Sequence, residues 1–229
     1  MVGNSRRIEG AQRAPHADLA RRVARHRGTP WRRPVADHTA AAFAALTERM
    51  DAGRPLVLDA GCGTGESTLR LAERHPDAVV IGVDKSAHRL GRTPSAGAEA
   101  DARRVHRVRA DLQDFWRLAQ EAGWRLAAHY LLYPNPWPKA AHLQRRWHGH
   151  PVFPTLLALG GRLELRTNWP VYAEEFAAAL ACYGVEARVD VLGADAAGAP
   201  LTPFERKYQA SGQRCLRVTA DLDGAGVRP

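Results

Sequence analysis

Lysine is scarce in this chain. Only Lys85, Lys139 and Lys207 stand among its 33 basic residues, so nearly all positive charge is arginine. Acidic residues are also few: 24 against 33 leaves a net charge of +9 and a pI of about 10.2. Such a surplus favours a polyanionic partner, of which nucleic acid is the commonest. A GC-rich genome explains arginine in place of lysine, but not basic residues in excess of acidic ones. Cysteine is rare as well. Cys62, Cys182 and Cys215 lie far apart, which fits neither a zinc pattern nor a disulfide framework and points to a reducing, cytoplasmic compartment. No run of eighteen apolar residues occurs, so no transmembrane helix is expected. The N-terminus has no apolar signal-peptide core, and Glu9 and Asp18 interrupt it as a transit peptide. What remains is 229 residues, 45% hydrophobic, enough for one sizeable core and an appendage.

The appendage is residues 1–35, with nine arginines, two acids and prolines at 15, 30 and 34. Ala17–Arg27 can form a basic helix but offers little apolar face, so the segment reads as a flexible or loosely docked arm, either tracking phosphates or simply solvated. Beyond it, helical and extended patterns alternate. Helices are expected at 38–51, 66–75, part of 86–103, 114–122 (with Asp114 as a possible cap), 151–159 and 171–183. Strands are expected at 55–60, 78–84, 105–110, 126–133, 162–167, 187–192 and 215–220, the last two separated by a loop of about twenty residues. This order implies an α/β fold: a mostly parallel seven-stranded sheet with helices on both faces.

The chemistry starts at Leu58-Asp59-Ala60-Gly61-Cys62-Gly63-Thr64-Gly65. A buried strand, a glycine turn and a helix form a nucleoside cradle, because glycines let the backbone turn tightly and approach a ligand. The spacing of Gly61, Gly63 and Gly65 differs from the dinucleotide fingerprint, and no Lys-Ser/Thr follows as in a phosphate-binding loop. Asp59, before the first glycine, would repel a pyrophosphate but suits a cationic ligand bearing an amine. Asp84 ends the second strand, where it can hold ribose hydroxyls, and Asp111 ends the third, where it can meet an adenine amino group. Three acids at neighbouring strand tips read as a site for S-adenosyl-L-methionine, and the domain as a Rossmann-like class I methyltransferase over residues 36–229.

The fourth strand runs into Pro134-Asn135-Pro136-Trp137-Pro138-Lys139, followed by His142 and Arg145-Arg146. In methyltransferases this tip faces the transferable methyl. Trp137 can stack on a base or pack beneath the loop; Lys139, Arg145 and Arg146 can hold phosphates or form a solvated face.

These blocks, with Thr167-Asn168-Trp169, Tyr172 and Thr202-Pro203-Phe204-Glu205, resemble the motifs of the tRNA (guanine-N7)-methyltransferase family over roughly residues 55–219. The resemblance implies methyl transfer from S-adenosylmethionine to guanine N7 in tRNA; a monomer or homodimer with no metal and no membrane is expected. It places Asp59, Asp84, Asp111 and Asn135 on the cofactor side, and Lys139, Asn168, Thr202, Phe204 and Glu205 on the substrate side. Asn135 and Trp137 would position the base. Two positions depart from the family pattern: Asn135 and Asn168 stand where aspartates are typical. Asparagine cannot accept two hydrogen bonds as a carboxylate clamp does. Asn135-Pro136-Trp137 is also a near match to the Asn-Pro-Pro-aromatic motif of enzymes that methylate exocyclic amines. A different methyl acceptor (another RNA base, an exocyclic amine, a small molecule) and a non-catalytic binding paralogue are the alternatives.

Overall fold

The computed structural model describes residues 5–8, 12–29, 31–51, 53–92, 103–193 and 199–223. Its centre is a seven-stranded sheet in the order β3-β2-β1-β4-β5-β7-β6. The strands are β1 (Leu56–Ala60), β2 (Val79–Asp84), β3 (Val105–Arg109), β4 (Leu126–Leu132), β5 (Arg162–Thr167), β6 (Ala187–Val191) and β7 (Leu216–Asp221). β1 to β5 are parallel neighbours, and β7 runs antiparallel between β5 and β6. The largely apolar runs of β1 and β2 take the middle because a central parallel strand is covered on both faces; every residue in them, Asp59 and Asp84 included, is buried.

Alternation along β1 divides the core. Leu56, Leu58 and Ala60 point into the larger cluster, with helices α1 (Leu19–Arg27), α2 (Asp37–Thr47), α5 (Leu112–Glu121), α6 (Phe153–Ala158) and α7 (Pro170–Ala181). Val57 points the other way, into a smaller cluster with Leu71 and Ala72 of α3 (Glu66–Arg74). Asp59 shares the face of Val57, and strand period therefore aims its carboxylate at α3. Right-handed crossovers account for the division: β1-α3-β2 moves one way along the sheet and β3-α5-β4 the other.

Four expectations need correction. The segment expected to be a loosely docked arm carries α1, whose Leu19 and Val23 are buried against the large core; two apolar residues four apart make one anchored stripe, enough to dock the helix beside α6 and α7. The helix expected from 86 is one turn, α4 (Ala87–Leu90), and residues 93–102 lie outside the described residues. Asp111, not Asp114, caps α5, its Oδ1 accepting from Gln113 N–H at 3.1 Å. Asp114 is buried and accepts instead from Ala36 N–H at 3.0 Å, tying α2 to α5. The connection before β7 contains α8 (Pro203–Ala210). Thr202 caps it, accepting from Glu205 N–H at 3.0 Å, with Pro203 at the first helical position, a helix-start signal that Thr-x-x-Glu spells out.

Docking of α1 predicts that Leu19→Ala lowers global stability in urea unfolding by about 2–3 kcal/mol, the range for a buried leucine. An unchanged midpoint would mean that α1 frays from the body independently.

Candidate functional site

Strand order reverses between β1 and β4, so the loops leaving β1 and β4 diverge and open a crevice at their carboxyl ends. A cavity of about 340 Å³ lies there, within the range of small-molecule sites. One wall is Ala60, Gly61, Asp84 and Asp111. The opposite wall is Tyr133, Pro134, Asn135, Trp137 and Arg145. Lys85, Arg89, Leu112, Gln113 and Trp147 complete it.

The cofactor-side wall is held by short-range bonds. Gly61 and Cys62 N–H groups donate to Val83 O at 2.8 and 3.1 Å, stitching the turn to the end of β2. Asp84 Oδ2 accepts from Gly63 N–H at 3.0 Å; its Oδ1 accepts from Ser86 N–H at 2.8 Å and pairs with Arg89 at 3.1 Å. Gly65 has φ +84° where the turn enters α3, a left-handed conformation natural to glycine. Gly82, register partner of Asp59, lies directly under Thr68: a Cβ there would collide with Thr68 Oγ1. That close approach lets Ser67 and Thr68 donate to Asp59 Oδ2 at 2.6 and 2.8 Å. Asp59 itself is fully buried and is not part of the cavity wall; its Oδ1 is buried with no partner. Burial raises its pKa to about 6, against the lowering effect of the two hydroxyls and with a small further push from Asp84.

The acceptor-side wall is strained. Tyr133 and Trp137, the ends of the proline-rich turn, have φ of 53° and 47°. Left-handed non-glycine residues cost about 1–3 kcal/mol each and persist only where surrounding contacts hold them. At Trp137 the holder is Arg146, whose Nε and Nη2 both donate to Trp137 O, at 3.3 and 3.0 Å, while Nη2 also reaches Lys139 O at 3.2 Å. Arg145 lies over the Trp137 ring, 4.7 Å from its centroid, and His142 meets the ring edge-on. Trp137 is therefore a half-buried platform that already carries one guanidinium.

Several expected substrate residues lie elsewhere. Arg146 is no phosphate ligand: it is fully buried and ion-paired to Glu175 of α7. Glu205 does not face a base; it is fully buried and bonded to Arg166 Nη1 at 2.7 Å, with Oε2 unpartnered. Thr202 is spent on its helix cap. Asn168 is not on the cavity wall, and its amide donates to Gln213 Oε1 at 2.9 Å. Lys139 and Phe204 are exposed. Phe204 stacks on Tyr208, which contacts Tyr133, so α8 reaches the cavity through aromatic rings. Asn135, also exposed, does line the cavity with Trp137 and Arg145. Sequence reading missed Glu175, although an acid four residues from Val171 and one from Phe176, on the helix's apolar face, is itself a signal. It also missed Gln12 and Gln213, for which the sequence carries none.

The unpartnered Asp59 Oδ1, the left-handed glycine turn and the acids at 84 and 111 fit a nucleoside ligand that carries an amine and a positive charge. Among the described residues no group of side chains could hold a metal ion, and no helix is long and apolar enough to cross a membrane.

Comparison with known proteins agrees with this geometry. A family model described as "putative methyltransferase" matches residues 53–218. The tRNA (guanine-N(7)-)-methyltransferase of Leifsonia xyli subsp. xyli is 34% identical over 69% of this chain and 72% of its own. That of Syntrophotalea carbinolica is 34% identical over 69% and 70%. Among solved structures, the 16S rRNA methyltransferase KamB superposes with a TM-score of 0.56 at 20% identity, over 82% of this chain and 94% of that one, a likeness of fold.

A raised Asp59 pKa has a definite sign. The buried carboxyl is protonated in the folded state up to about pH 6 but ionises in the unfolded chain near its ordinary value, so its contribution to stability falls as pH rises from about 4 to 6. Asp59→Asn should remove that slope, with the parent-minus-variant stability changing by on the order of 3 kcal/mol across the window. Parallel pH profiles from urea titrations would contradict the assignment. With turn, strand-tip acids and proline-tryptophan block in place and the comparisons alongside, this chain belongs to the tRNA (guanine-N7)-methyltransferase family of S-adenosylmethionine-dependent enzymes.

Proposed function

We propose that the protein methylates guanine N7 in tRNA, in the cytoplasm. The observation that carries this reading is the single cavity that joins Asp84 and Asp111 on one wall to Asn135 and Trp137 on the other. S-adenosylmethionine, when bound, supplies an electrophilic methyl group. Asp84 and Asp111 hold ribose and adenine, and Asp59, beneath the turn, sets a negative charge under the amino-acid end. Asn135 and Trp137 place the base. Guanine N7 presents an in-plane lone pair and needs no proton removed before it attacks, so the chain's work is positioning. As the bond forms, positive charge passes to the guanine ring; the Asn135 carbonyl oxygen stabilises it weakly, and a carboxylate there would do so more strongly.

An amide at 135 also suits an exocyclic amine, whose hydrogens it can accept; this is the second reading. Incubation of the protein with unmodified tRNA and S-adenosylmethionine, followed by mass spectrometry of the nucleosides, separates the two. The expected product is 7-methylguanosine. A methylated amino group instead would favour the second reading, and tight tRNA binding without product would mark a non-catalytic paralogue. Asn135→Asp should raise kcat/KM for guanine by on the order of tenfold, equivalent to about 1.4 kcal/mol; no gain would remove the electrostatic role given to position 135.

The exposed arginines of α1, Arg21 and Arg25, stand on a docked helix and present a fixed basic face. Replacing both with glutamate should weaken tRNA binding and reduce the slope of log Kd against log salt by about 1–2. An unchanged slope would make this face solvent surface only.

A further inference from the structure

We propose that Gln12 is a positioning residue for the transfer site, acting through the buried ion pair that fixes the Trp137 loop. The inference rests on the reading of that loop as the base-binding wall. Glu175 of α7 and Arg146 are both fully buried. Glu175 Oε2 accepts from Arg146 Nη1 and from His148 Nε2, the latter at 2.8 Å. Its Oε1 accepts from Gln12 Nε2 at 2.6 Å and from His16 N–H at 2.9 Å. Four donors thus fill the carboxylate, two of them brought by a segment about 160 residues away in sequence. Gln12 also accepts, through Oε1, from Arg146 Nη2 at 2.9 Å. One amide therefore closes a ring with both members of the pair, donating to the acid and accepting from the base. A carboxamide does both; a carboxylate, an ammonium or a methyl group does not.

The ring matters because of what Arg146 holds. Its Nε and Nη2 bind the Trp137 carbonyl and its Nη2 the Lys139 carbonyl, across the left-handed residue of the cavity wall. An arginine with an incomplete set of acceptors in a buried place is free to rotate toward water, and the strained turn then loses the contacts that retain it. The same N-terminal segment has a second anchor. Ser5 O and Arg6 O accept from Gln213 Nε2 at 2.8 and 3.3 Å, and Gln213 Oε1 accepts from Asn168. Gln12 thus reaches the loop after β4 through Arg146, and Ser5 and Arg6 meet Gln213, between α8 and β7, which in turn holds Asn168 after β5. Among the described residues, no hydrogen bond or ion pair joins residues 5–8 or 12–16 to Asp84, Asp111 or the glycine turn.

The test uses the full chain. Gln12→Met keeps length and bulk and removes the amide. With saturating S-adenosylmethionine, kcat/KM for tRNA should fall by about tenfold, the scale of a small misplacement of reacting groups, while KM for S-adenosylmethionine stays within about twofold. In protein labelled with 5-fluorotryptophan, the 19F resonance lost in Trp137→Phe should shift or broaden in Gln12→Met, while that of core residue Trp124 stays in place. A Trp137 resonance and kcat/KM equal to the parent's would overturn the proposal. Should Gln12→Met fail to fold, Gln12→Glu carries the same test: it keeps the acceptor for Arg146 and loses the donor to Glu175. A parent enzyme that makes no 7-methylguanosine sinks the functional reading instead, and leaves the fluorine measurement to decide the role of Gln12.

Discussion

The acceptor half of this molecule depends on one buried ion pair, Arg146 with Glu175. Burial alone would raise the pKa of Glu175, but bonds from His148, Arg146 and the His16 N–H lower it to about 2, so the acid is charged. His148 beside it is shifted down, chiefly by burial and against the pull of Glu175, with its Nε2 2.8 Å from the Glu175 carboxylate. Removing one member of such a pair strands the other, at a cost of about 3–5 kcal/mol, whereas the intact pair adds little net stability. Its value here is geometric. It determines where the Trp137 carbonyl points, and with that the shape of one cavity wall. A second buried pair, Arg166 with Glu205, does the same for α8. Arg146 and Glu205 stand at family-like motif positions yet are interior residues, which explains why charge in a motif need not mean charge on a ligand.

Cofactor and acceptor halves differ in how far their contacts reach along the chain. The glycine turn, Ser67 and Thr68, and Asp84 lie within about thirty residues of one another, and backbone hydrogen bonds between adjacent strands fix them. Such a unit is specified by local sequence, and it could be read from the glycine spacing, the apolar strands and the acids at their tips. Sheet type and the early strands followed from the same alternation. The acceptor wall instead needs Gln12 to meet Arg146 and Ser5 to meet Gln213, separations of 134 and 208 residues. No periodicity encodes such meetings. Arginine in Arg145-Arg146 therefore looked alike at both positions, although one lies over Trp137 at the cavity and the other is sealed inside.

The N-terminal segment departs from its expectation for a related reason. Its nine arginines dominate its composition, and solvation of charge argues for an arm. Docking, however, is decided by a few apolar residues in register, here Leu19 and Val23, together with polar groups that find buried partners. The charges remain outside, and the helix is anchored all the same. α8 is the opposite case: the long connection before β7 reads as a loop, though Thr202, Pro203 and Glu205 together announce a helix start.

The two asparagines that replace family aspartates can now be separated. Asn168 donates to Gln213 Oε1, and Gln213 spends its own Nε2 on Ser5 O and Arg6 O. A carboxylate at 168 has no hydrogen to give, so it would face the Gln213 carbonyl oxygen and either repel it or turn the amide away from the N-terminal segment. The amide at 168 is thus part of how that segment is held, and its presence says nothing about the acceptor base. Asn135 is exposed on the cavity wall, and nothing in the structure requires an amide there. Of the two, only Asn135 stands on the cavity wall, where one atom, nitrogen in place of oxygen, converts an acceptor into a donor.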